Sequence, residues 1–216
     1  MVKIVALSAA NIRHQPQGTS YRLARQTLDH LLEMRPDAET SLVTLVDKRI
    51  EPCIGCGQCA RTHQCQAFGD DFDAIYSEIV KSDALIIVAA HYAPIPAKLC
   101  AFFERIESIS FLGQHNNPGF SFPLADKPYA VIGHAGGTSD IWHSYHDVIF
   151  APIKNALAFP VSMKPVDTGT WPHIGVMLGP SEVASDAESV FPRQIYDDDL
   201  LRAETLRVAK ALLERL

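Results

Sequence analysis

Four of the five cysteines fall in one short segment, Cys53-Ile54-Gly55-Cys56-Gly57-Gln58-Cys59, with Cys65 after five further residues. Five cysteines in 216 residues are far too few for a disulfide scaffold, and their grouping points instead to a shared ligand. Gaps of two residues wrap the chain around a compact object, and Gly55 and Gly57 permit the tight backbone that such wrapping needs. Four thiolates can ligate a 4Fe-4S cluster, one per iron. A single zinc ion asks for four sulfurs at about 2.3 Å from one centre, hence roughly 3.8 Å from each other, and more often takes them from two separated knuckles. Thiols that form redox pairs or bind nothing are the third reading. Cys100 lies in the apolar stretch Leu99 to Phe103 and reads as a small core residue. His63, inside the cysteine segment, could replace a ligand in a zinc site but reads first as a solvent-facing loop residue, and the i,i+3 pair His143 and His146 has no third ligand beside it.

The elements that must position these thiols follow from the apolar pattern. Residues 2–8 form a β-branched run, and Ala24, Leu28, Leu31 and Leu32 recur at helical spacing behind it. A second strand is expected over 41–46, directly before the cysteines, and a short helix carries Phe72, Ile75, Tyr76, Ile79 and Val80, with Asp70 or Asp71 placed to cap it. Residues 84–90 are continuously apolar, which fits a parallel strand buried on both faces at the centre of a sheet. Leu99, Phe102, Phe103, Ile106 and Ile109 make the next helix, and Tyr129 to Gly133 the fourth strand. Trp142, Ile149, Ile153 and Leu157 mark a helix, residues 160–163 a fifth strand, and Leu201 to Leu216 a closing helix. Strands alternating with helices in this way predict one three-layer α/β domain over 1–216, with a five-stranded parallel sheet and a cysteine loop at 52–66. Residues 110–126 and 167–196 show no clear period and are expected to be irregular covers or surface.

In open parallel sheets the ligand lies beyond the carboxyl ends of the strands. The loop after the first strand, Ser8 to Ser20, contains Arg13 and closes in Gly18-Thr19-Ser20 at a helix start, a place where backbone N–H groups can hold a phosphate or where the hydroxyls simply cap the helix. The loop after the third strand, Ala90-His91-Tyr92-Ala93-Pro94-Ile95-Pro96, can present a ring and backbone groups to a planar ligand. The loop after the fourth, Gly133-His134-Ala135-Gly136-Gly137-Thr138, is small enough for a flat molecule to approach. Neither G-x-G-x-x-G nor G-x-x-x-x-G-K occurs, so a dinucleotide fingerprint and a P-loop lack support.

Composition limits the remaining classes. With 47% hydrophobic and 20% charged residues the chain is expected to fold as a soluble globule. A formal charge of −6 speaks against nucleic acid as a partner. The N-terminal run reads as a strand and not a signal, and no apolar run is long enough for a membrane span, so the expected compartment is the cytosol.

Taken in order, these parts resemble the iron-sulfur flavoproteins, a branch of the NADPH-dependent FMN reductase and flavodoxin-like superfamily. The resemblance covers most of residues 1–160. It rests on Gly18-Thr19-Ser20 after strand one, Pro52 to Cys59 with Cys65 after strand two, Tyr92 after strand three, and Lys127-Pro128 opening a strand that ends in a Gly-rich loop. It implies a flavodoxin-like sheet binding FMN, a homodimer or homotetramer, and electron transfer between FMN and a 4Fe-4S cluster. On that resemblance Ser8, Arg13, Thr19 and Ser20 hold the FMN phosphate. His91, Tyr92, Ala93 and Ile95 border the isoalloxazine, His134, Ala135, Gly136 and Gly137 close over it, and Cys53, Cys56, Cys59 and Cys65 ligate the cluster. Electrons would come from NAD(P)H or a ferredoxin-type donor and pass to a small-molecule acceptor. Two other readings stand beside it: a flavin-only NAD(P)H-dependent FMN or quinone reductase whose cysteines bind zinc or nothing, and a non-catalytic electron carrier or interaction module.

Overall fold

In the computed structural model, which describes residues 1–11, 18–92, 94–185 and 192–216, four parallel strands lie side by side in the order β2 (Glu39–Thr44), β1 (Lys3–Ala9), β3 (Ala84–Ala90) and β4 (Pro128–His134). The fifth position is filled by two segments on the outer edge of β4. β5 (Lys164–Pro165) pairs with Pro128 and Tyr129, and β6 (Gly175–Leu178) pairs with Val131 to His134, both parallel to it. All seven residues of β3 are buried, as its unbroken apolar run requires.

The period of two along each strand sorts side chains between two cores. Val5, Leu7, Leu85, Ile87, Tyr129 and Val131 face α3 (Phe72–Val80), α4 (Ala97–Asn116) and α5 (Ala151–Leu157). Ile4, Ala6, Ile86, Val88, Ala130 and Ile132 face α1 (Thr19–Met34) and α6 (Asp198–Leu213). A four-residue helix, α2 (Cys59–Thr62), sits in the cysteine loop, and β7 (Glu182–Ala184) with β8 (Arg193–Ile195) forms a separate antiparallel pair. Among the described residues no helix is long and apolar enough to cross a membrane.

Two expectations need correction. The fifth strand is not at 160–163: Val161 and Met163 are buried, but the amides of Ser162 and Met163 bond the carbonyls of Ala158 and Leu157, so this apolar run closes the end of α5 instead of pairing in the sheet. The edge is completed from within 167–196, by β6. Residues 110–116 are the last turns of α4, whose Gly113 lies against the ring of Phe120. The α3 start draws on Asp70, one of the two carboxylates expected to cap it, and not on Asp71. Asp70 accepts from the Phe72 amide at 3.3 Å, while Asp71, at the cap position, turns its carboxylate to the Arg49 amide at 2.7 Å.

Candidate functional site

The segments that follow β1 and β3, together with Pro52 and the first turns of α4, enclose a cavity of about 620 Å³ lined by Asn11, Pro52, His91, Tyr92, Ile95, Ala97, Cys100, Ala101 and Glu104. That volume is in the usual range for a small-molecule or cofactor site. Ile95 is buried, while His91 is exposed, its amide donating to the His134 carbonyl at 2.9 Å and its ring 5.0 Å from Tyr145. Cys100 is half-buried on this wall and so is not the core residue its apolar neighbours imply; burial pushes its thiol up.

The loop after β4 is tied down along its length. The Ala135 amide donates to Leu178 at 3.2 Å, and the Trp142 indole to the Gly137 carbonyl at 3.0 Å. A Cβ on Gly137 would meet Ile141 at 2.3 Å and Tyr145 Oη at 2.7 Å, so this stretch leaves no room for a side chain. Gly136 is exposed beside Gln194.

At the start of α1, Gly18 is extended and among the described residues no side chain caps the helix, so its first-turn amides and the positive end of the helix dipole face where an anion could sit. Ser8 is buried near the end of β1. Thr19 shares a hydrogen bond with Tyr196, whose hydroxyl also donates to Gln194 at 2.9 Å. Ser20 is buried, and its Oγ lies 2.6 Å from His134 Nε2. The structure therefore joins Ser20 and His134 to each other behind the helix start, where sequence reasoning assigns one to a phosphate and the other to a ring. Burial holds the His134 imidazole down at about 4. Arg13 and Ala93 lie outside the described residues. The helix start has amides that suit a phosphate, and the cavity beside His91, Tyr92 and Ile95 suits a planar ring, while Thr19 lines a separate cavity of about 400 Å³ with Arg22 and Tyr196.

The four loop cysteines line a second pocket together with Phe68, Arg105, Ser108 and Leu112. Cys59 is buried, Cys53 and Cys65 are half-buried, Cys56 is exposed, and none is in a disulfide. Gly55 and Gly57 take φ of +65° and +70°, the left-handed turns that carry the chain around the pocket. The Gly55 amide points at Cys53 Sγ at 3.5 Å, the Ser108 hydroxyl lies 3.5 Å from the same sulfur, and Arg105 Nε donates to Cys65 Sγ at 3.2 Å. Burial, and next the Cys65 thiolate, push the Cys59 thiol up. His63 does not face solvent as a free loop residue: it ends α2 at φ +54° and stacks on Phe120 at 4.3 Å. Among the described residues no three Cys, His, Asp or Glu side chains meet at one point as a single-ion site. An all-thiolate set ranged around a pocket fits a polynuclear group with one sulfur per metal.

Sequence reasoning overlooks Arg105. Its side chain is fully buried, as is that of Asp70, which accepts from Arg105 Nη1 at 2.6 Å. The guanidinium also lies over the ring of Phe72 at 3.9 Å. Burial alone would raise the Asp70 carboxyl; the hydrogen bonds from Arg105 and from the Glu51 and Phe72 amides outweigh it and hold the group below the ordinary carboxylate range. The available signal is positional. Residue 105 falls on the same helical stripe as Phe102, Ile106 and Ile109, where a cation is out of place without a buried partner.

The two pockets share a wall. Pro52 faces the larger cavity and Cys53 the thiol pocket; Glu104 faces the larger cavity and Arg105 the thiol pocket. The Cys53 amide donates to Glu104 at 3.2 Å, closing the wall across.

Comparison with known proteins bears on the family and the fold. Residues 2–158 match the NADPH-dependent FMN reductase family. An iron-sulfur flavoprotein of Methanocaldococcus jannaschii is 28% identical over 105 residues, 48% of this chain and 51% of that protein, so the chain spans about half of that relative's length. An iron-sulfur flavoprotein of Archaeoglobus fulgidus is 24% identical over 212 residues, 94% of this chain and 91% of the relative. Oxidised flavodoxin 1 of Bacillus cereus superposes with a TM-score of 0.56 at 13% identity, covering 99% of each chain, and shows the fold to be flavodoxin-like.

Proposed function

Because the chain belongs to the NADPH-dependent FMN reductase family, we propose that this flavin-dependent oxidoreductase pairs its FMN with a 4Fe-4S cluster held by Cys53, Cys56, Cys59 and Cys65. The observation that carries the proposal is the shared wall: consecutive residues, Pro52-Cys53 and Glu104-Arg105, line the two pockets from opposite sides. When bound, FMN supplies two-electron chemistry and the cluster one-electron chemistry. The chain's part is to hold them and keep them close. The first-turn amides of α1, with Thr19, receive the phosphate. His91, Tyr92 and Ile95 border the ring on one side, and Ala135, Gly136 and Gly137 border it on the other, fixed by Trp142. The left-handed turns at Gly55 and Gly57 carry the chain around the pocket that all four thiols line. Both relatives named above carry iron-sulfur flavoprotein as their description, which supports the same assignment. Electrons enter from NAD(P)H or a ferredoxin-type donor and leave to a small acceptor.

The test is the iron, zinc, acid-labile sulfide and flavin content of protein purified without oxygen. The expected result is about four iron and four sulfide with one FMN per chain. FMN without iron or sulfide would overturn the cluster and leave a flavin-only reductase; zinc in their place would make the cysteine loop structural.

A further inference from the structure

We infer that Arg105 sets the reduction potential of the group held in the thiol pocket, by keeping a fixed positive charge against Cys65. The inference rests on the cluster reading above and adds to it a residue outside the four ligands. A buried guanidinium is costly unless its donors are taken up. Here Nη1 donates to Asp70 at 2.6 Å and to the Glu51 carbonyl at 3.4 Å, and Nε donates to Cys65 Sγ at 3.2 Å. Nη2 is buried and has no acceptor among the described residues. Arg105 lines the pocket with all four cysteines, so the acceptor that Nη2 lacks belongs to whatever the thiols hold: a ligand sulfur or an inorganic sulfide.

Asp70, the counter-charge of Arg105, is itself held in place. Its two oxygens also accept from the Glu51 amide at 2.8 Å and the Phe72 amide at 3.3 Å, which fix the carboxylate and, through it, the guanidinium. Phe68 and Phe72 cover the cation at 5.2 and 3.9 Å and keep water from screening it. Glu104, the next residue, faces the other cavity and does not neutralise Arg105 on the thiol side. One electron added to a thiolate-ligated cluster adds one negative charge, and a buried cation donating to its sulfur favours that reduced form. Arg105 is thus a positioning residue that acts through Cys65.

The experiment is a dithionite titration of anaerobic protein, with the reduced cluster followed by electron paramagnetic resonance, in wild type, Arg105→Lys, Arg105→Gln and Asp70→Asn. Wild-type iron and sulfide content is measured first: without them the cluster reading fails, and this inference with it. Given a loaded wild type, Arg105→Gln is expected to lower the reduced-to-oxidised ratio at fixed potential about tenfold, about 59 mV for a one-electron couple. Arg105→Lys restores most of that loss, and Asp70→Asn, which strips the counter-charge and leaves Arg105 in place, shifts the ratio the other way. Loaded Arg105→Gln protein with the wild-type potential would overturn the inference. If Arg105→Gln does not fold or load, Asp70→Asn decides: an unchanged or lowered potential there overturns it, and a raised one supports it.

Discussion

Ser20 and His134, 114 positions apart in the chain, meet at 2.6 Å between Oγ and Nε2 beneath the start of α1. The contact ties the first helix to the end of β4. It also has a consequence for stability. The imidazole is buried and neutral, with its titration held down to about 4 from an ordinary 6.5. Between those values the unfolded chain binds a proton that the native one does not, so stability rises with pH across this window. It is fully present above pH 6.5 and is lost as pH falls toward 4, by on the order of 3 kcal/mol in all. Asp70, depressed below 3.8, contributes its own loss only at lower pH. Urea unfolding of wild type and His134→Gln at pH 4.5 and 7.5 checks this. The variant should show a flatter profile between the two; a slope equal to that of wild type would refute the assignment to His134.

Gly175 decides whether the sheet edge closes. It opens β6 at a φ of +157°, and a Cβ there would stand 1.7 Å from the Val131 carbonyl oxygen, on the strand it pairs with. Gly175→Ala should therefore cost more than about 4 kcal/mol, by forcing β6 away from β4. Gly69→Ala is the control: its φ of +58° brings conformational strain, but nothing lies within 4 Å of the added carbon. There the cost should be about 1 kcal/mol. Melting temperatures of the two variants separate a backbone collision from simple strain, and equal losses would contradict the pairing of β6 with β4.

The same edge shows where reading the sequence succeeds and where it stops. Val5, Leu7, Ile87 and Val131 announce their strands because both faces of a central parallel strand are buried, which leaves a long apolar run. β6 has four residues, one of them glycine, and follows a long irregular segment; no period can develop over that length. The buried run at 160–163 misleads because burial against the end of α5 looks the same, in sequence, as burial in a sheet. The thiols are legible because their ligand chemistry demands close spacing along one segment. Arg105 and Asp70 are not, since their pairing spans 35 positions and depends on how α4 packs against the start of α3. Nor does sequence show that Ser20 spends its hydroxyl on a histidine, or that Pro52-Cys53 and Glu104-Arg105 back two pockets onto each other.

Arg105 and Asp70 also set up a stability test that needs no cofactor. Removing one partner leaves a buried charge without its counter-ion, so Arg105→Met should destabilise the metal-free protein by about 3–5 kcal/mol. Asp70→Leu combined with Arg105→Met removes both charges and should recover a large part of that loss, because the apolar pair faces Phe68 and Phe72. A double-mutant cycle from denaturant titrations reads the coupling directly. Additive losses would mean that the two groups do not act as a pair.

Cys56 and Cys100 give the sharpest contrast among the thiols. Cys56 is the most exposed of the four in the loop, lies between the left-handed turns at Gly55 and Gly57, and touches little else in the fold, so Cys56→Ser should leave folding and flavin intact. If the four thiols hold one cluster, a serine there should cost most of the iron and sulfide, with FMN retained at the wild-type ratio. Cys100 lines the other cavity beside Glu104 and does not line the thiol pocket. Cys100→Ser should therefore keep its iron and sulfide, with any change confined to the flavin's visible spectrum. Iron, sulfide and FMN per chain, measured side by side on both variants without oxygen, check the pair. Full iron in Cys56→Ser would remove Cys56 from the ligand set, and iron lost from Cys100→Ser would show that the two pockets are not the separate compartments their walls describe.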